Sequence, residues 1–64
     1  MEIKDLIKQR RLEKGYSLED VAKRVGVSRQ TVQKWETGKI ENMRRSSVAA
    51  LSSALGIPIE ALMG

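Results

Sequence analysis

Between Ser28 and Thr37 the chain carries Arg29, Gln30, Gln33, Lys34 and Thr37, interleaved with Val32 and Trp35. At helical periodicity Gln30, Gln33, Lys34 and Thr37 gather on one side, with Arg29 at its margin. Ser28, Val32, Trp35 and Glu36 cluster towards the other. The first set is equipped to read nucleic acid. A glutamine amide pairs with both N6 and N7 of adenine, and an arginine or lysine with O6 and N7 of guanine. Lysine can equally sit on a phosphate, as can the N–H groups that a Ser28 helix start leaves open. The ordinary alternative is a solvated helix face, because Arg, Gln and Lys are good helix formers. Trp35 shares the side of Val32, which assigns it to the core rather than to base stacking.

These residues need a support that holds one helix face outward. The segment SLEDVAKRVGVSRQTVQKWETG, residues 17–38, supplies the pattern. Ser17 caps a helix in which Val21, Ala22 and Val25 recur at helical spacing. Asp20 matches the reciprocal capping position only weakly, since that position prefers Glu or Gln. Tyr16 precedes the cap, where it can staple onto Val21. Gly26 stands where the chain must turn sharply, because glycine enters the left-handed region at little cost. Ser28 then caps the polar helix. Ala22 is small where the two helices must cross closely. Helix, glycine turn and capped helix, at about residues 17–37, make a helix-turn-helix, whose second helix enters the DNA major groove.

The remainder of the chain reads as helical. Residues 2–14 carry Ile3, Leu6 and Ile7 as a stripe, extended by the stems of Arg10 and Lys14, and Gly15 ends them. After Gly38 comes a polar loop, KIENMRR. A fourth helix runs from about Ser46 to Leu55, with Val48, Leu51, Ser52 and Leu55 on one face. Gly56 closes it, and Pro58 opens a fifth over 58–63. No strand pattern is present. The expectation is all-α: a compact five-helix bundle forming a single domain over residues 1–64.

Composition excludes several functions. The chain has 64 residues, no cysteine and no histidine. The commonest metal ligands and the commonest general base are therefore missing, and disulfides are impossible. No nucleophile stands with a base in a pocket, so no enzyme, metal, cofactor or small-molecule substrate is expected. There are 12 basic and 8 acidic residues, a net charge of +4, which modestly favours an anionic partner. No signal sequence is apparent, and the charge-free run from Ser46 to Ile59 is shorter than the roughly 20 apolar residues of a membrane span. A cytoplasmic location without membrane attachment is expected. From Ser46 to Gly64 the only charge is Glu60. Such a tail is either core for a small bundle or partly a contact with a second copy.

Residues 3–63 resemble the Cro/repressor-type DNA-binding domains of lambdoid phage repressors and their bacterial relatives, the XRE-like group. The resemblance rests on Arg11, Gly15, Ala22, Gly26, Val32 and Trp35, on WETGK at 35–39, and on SALGIPIEALM at 53–63. It implies a sequence-specific regulator, a repressor, bound to double-stranded operator DNA. Arg29, Gln30 and Lys34, with Gln33 beside them, would read bases. Ser28, Thr37, Lys39, Arg44 and Arg45 would hold the DNA backbone. It further implies a weak homodimer through the last helix, with Ile57, Leu62 and Met63 in the contact, reading a near-palindromic site. Arg11 and Glu36 match the family's partly buried ion pair between the first and third helices. Leu18 departs from the pattern: it stands where the family often has a phosphate-gripping glutamine.

The competing class is a protein-interaction or dimerisation module of the same fold, such as an antitoxin or regulator-binding domain. Such a module is free to place acids or apolar groups on the outer face of the third helix. This chain has Arg29, Gln30, Gln33 and Lys34 there, and no acid among them.

Overall fold

The structure is a computed structural model that describes residues 2–40 and 43–63, with Met63 by its backbone only. Five helices follow in order: α1 Ile3–Glu13, α2 Leu18–Val25, α3 Arg29–Glu36, α4 Arg45–Leu55 and α5 Ile59–Met63. The fold is all-α, as the periodicity predicts. No helix among the described residues is long and apolar enough to cross a membrane.

Short-range chemistry sets most boundaries. Glu2 and Lys14 flank α1 as its caps, so the helix is one residue shorter at each end than expected. Lys14 is exposed at the cap and does not extend the apolar stripe. Ser17 caps α2 by accepting the Asp20 N–H at 3.0 Å, and the Asp20 carboxylate accepts the Ser17 N–H at 2.9 Å. The reciprocal box is thus complete with aspartate, because the shorter side chain still reaches the cap N–H. Gly26 ends α2 at φ +85°, and its N–H and that of Val27 both donate to the Ala22 carbonyl. A residue with a Cβ would pay a backbone penalty there although the space beside it is open. Pro58 stands just before α5 rather than within it, its carbonyl accepting the Ala61 N–H. The loop residues Glu41 and Asn42 lie outside the described residues.

The core gathers one or two residues from every helix. Ile7, Val21, Ala22, Val32, Trp35, Leu51, Leu55, Ile57 and Leu62 are buried together. α2 packs on both α3 and α4, α1 rests against the same two helices, and α5 lies on α4. Leu18 is half-buried against this core, so the position where the family often has glutamine is a packing position here. Ile57 and Leu62, expected in a contact with a second copy, are 1% and 6% exposed inside the chain's own core. That assignment is corrected: a bundle this small has too little apolar material to leave them outside. The Met63 side chain lies outside the described residues.

Candidate nucleic-acid interface

α3 presents two unlike faces. Val32 is fully buried and Trp35 is 5% exposed, which fixes the helix against α1 and α2. Arg29, Gln30, Gln33 and Lys34 are all exposed on the other side. Among the described residues none of these four is in an ion pair. Their donors and acceptors are open to an external partner along about two helical turns, which matches the reach of a recognition helix in a major groove.

The two hydroxyls at the ends of α3 are engaged locally. Ser28 Oγ accepts the Thr31 N–H at 3.2 Å and lies 2.8 Å from Thr31 Oγ1. This leaves the N–H groups of Arg29 and Gln30 without an intrahelical acceptor. Thr37 Oγ1 donates its one proton to the Lys34 carbonyl at 2.8 Å, capping the helix. A phosphate contact from Thr37 would have to exchange that bond. The Lys39 N–H donates to the same carbonyl at 3.0 Å, which holds exposed Lys39 beside the end of α3.

Arg44 and Arg45 part company. Arg44 lines a cleft of about 380 Å³ with Ser28, Thr31, Trp35, Ser46 and Ser47, between the helix-turn-helix and the start of α4. It is the N-cap of α4 but makes no side-chain cap bond, so first-turn N–H groups of α4 stay open near this cleft. Arg45, one residue on, lines a separate groove with Val48, Ala49 and Ile59. The structure therefore groups Arg44 with α3 and does not bring Arg45 to that face. One step along a helix start rotates a side chain by roughly 100°, which adjacency in sequence conceals.

An ion pair outside the candidate interface ties the end of α3 to α1. Arg11 donates from Nε to Glu36 Oε2 at 2.7 Å and from Nη2 to Oε1 at 3.0 Å. Its Nη1 donates to the Tyr16 carbonyl at 3.0 Å. The side chains are only 12% and 8% exposed. The hydrogen bond to Glu36 raises the Arg11 pKa above its ordinary value. One guanidinium thus joins α1, the turn before α2 and the end of α3. Sequence reasoning missed the companion of Tyr16: its ring carries the Arg24 guanidinium, 4.3 Å from the centroid. The i to i+8 spacing of the two is no helical signal, since Tyr16 precedes the Ser17 cap and lies outside α2.

This bundle, with a polar second helix held outward by a glycine-turned partner, defines a helix-turn-helix domain of the DNA-binding regulatory class. The family model for helix-turn-helix proteins matches residues 7–62, and the chain belongs to that family, in its Cro/repressor-type, XRE-like group. Neither the curated proteins nor the solved structures contained a match.

Proposed function

We propose that the chain is a sequence-specific transcriptional repressor that binds a near-palindromic DNA operator as a weak homodimer. The observation that carries this reading is the outer face of α3: four exposed residues, Arg29, Gln30, Gln33 and Lys34, with no acid among them. Arg29, Gln30 and Lys34 read base edges, with Gln33 beside them. Lys39, Arg44 and the open N–H groups at the starts of α3 and α4 hold phosphates on either side. The second copy sits on the groove of Val48, Ala49 and Ile59, where Ile59 is 43% exposed. In this reading the two-fold contact lies next to α5 and centres on exposed Ala49 and Ile59, with half-buried Val48 at the edge of the core. Half-sites then lie about 34–36 Å apart, one turn of the duplex.

Selection of bound sequences from a pool of random duplexes tests the reading. The expected result is one enriched site with two-fold symmetry and a half-site spacing of one turn. A pool that stays unenriched at moderate salt removes sequence-specific binding. An enriched site without symmetry removes the dimer.

A further inference from the structure

A second polar cleft, of about 570 Å³, lies away from the α3 face. It is lined by Lys14, Tyr16 and Arg24 on one side and by Ala50, Ser53 and Ala54 of α4 on the other. No residue of α3 or of segment 37–45 contributes to it. Arg24 has a defined packing partner. Its guanidinium lies over the Tyr16 ring, 4.3 Å from the centroid, an arrangement that occupies the flat face and leaves the N–H edge open. Lys14 stands beyond the end of α1 as a second cation. Among the described residues neither is in an ion pair. Of the acids nearest in sequence, Asp20 feels the Arg24 charge one helical turn away but accepts the Ser17 N–H and does not line the cleft, and Glu13 accepts Gln9 Nε2. The α4 wall contributes two methyl groups and a hydroxyl, small enough to admit another chain's side chains.

We propose that this cleft docks an acidic segment of a partner protein, with a carboxylate seated between Lys14 and Arg24. The charge complement is specific: two cations, no lining acid, and a guanidinium whose open edge matches a carboxylate in bidentate fashion. The small apolar wall of α4 favours a peptide over a phosphate backbone, which needs no apolar contact. Because α3 takes no part, the proposal stands or falls independently of the DNA reading.

The test is a titration of the isotopically labelled chain with an oligoglutamate peptide, followed by amide chemical shifts, with oligoglutamine as control. Saturating shifts are expected at Lys14, Tyr16, Arg24 and Ser53 with oligoglutamate alone. The double variant Lys14→Gln/Arg24→Gln should bind the peptide about fivefold more weakly, while Tyr16→Phe, which keeps a ring under Arg24, binds as before. Both cations are exposed at the surface, and a thermal melt checks that the double variant remains folded. The same variant should keep its affinity for duplex DNA. Shifts confined to Arg29–Lys34, an equal response to oligoglutamine, or no shift at all would overturn the proposal. So would a parallel loss of DNA affinity in the double variant, which would make the cleft a phosphate contact.

Discussion

Arg11 and Glu36 meet side-on across the junction of α1 and α3, through two hydrogen bonds of 2.7 and 3.0 Å. The pair is separated by 25 residues in sequence and sheltered from water in the fold. Its position at the last residue of α3 ties the end of that helix to α1. Exposed ion pairs contribute roughly 0–1 kcal/mol, so shelter decides its worth.

A double-mutant cycle with Arg11→Met and Glu36→Gln should give a coupling energy of about 1.5–3 kcal/mol in urea unfolding, the range for hydrogen bonds to charged groups. Each single variant should also weaken DNA binding although neither residue lies on the outer face of α3. Zero coupling would reduce the pair to two independent surface charges.

Gln30→Ala should cost about 1–3 kcal/mol on the selected operator and relax preference at one base position per half-site. Competition assays with operator and random duplex measure both. An equal loss on the two duplexes would show that Gln30 reads no base.

Lys39→Gln and Arg44→Gln should each weaken binding to all sequences alike and make the slope of log K against log salt shallower by about one. Arg45→Gln should leave that slope as it is, because Arg45 lines the groove with Ile59 instead. A slope changed by Arg45→Gln alone would reverse the division between the two arginines.

Ile59→Glu should lower cooperative operator binding while the free chain keeps its helical circular dichroism. Leu62→Ala should instead destabilise the fold by about 2–5 kcal/mol, since its side chain is core. Sedimentation of Ile59→Glu as an unaltered dimer on DNA would place the two-fold contact elsewhere.

The Asp20 carboxyl is held below its ordinary value of 3.8, chiefly by the Ser17 backbone N–H. A lowered folded-state pKa stabilises above the unfolded value and ceases to do so as pH falls through the folded one. Unfolding midpoints of the parent chain should therefore drop more on acidification than those of Asp20→Asn, which keeps an acceptor at the cap but does not titrate. Parallel acid curves for the two chains would remove the box as a source of pH dependence.

Much of the recognition helix was legible in the sequence because its determinants are local. Ser17, Gly26 and Ser28 act within four residues of themselves, through cap bonds and one left-handed turn. The alternation of Val32 and Trp35 with Gln30, Gln33 and Lys34 already divides α3 into an inner and an outer face. Periodicity needs length to work, and this helix spans two turns.

What only the tertiary structure decided lies where short segments meet distant ones. In α5, five residues long, Leu62 turns inward and Ile59 outward, and apolar character alone does not distinguish them. At the start of α4 a single step of rotation sends Arg44 towards α3 and Arg45 to another groove. Lys14, Tyr16 and Arg24 come together with Ala50 and Ser53 because α2 packs on α4, not because their spacing marks them. Family resemblance implies a partly buried Arg11–Glu36 bridge, whereas the third bond, from Arg11 Nη1 to the Tyr16 carbonyl, comes only with the packed chain. Side-chain type and helical period are properties of a segment. Which of two exposed-looking residues is covered depends on the neighbour that arrives, and that is set by packing the helices around nine buried apolar side chains among the described residues.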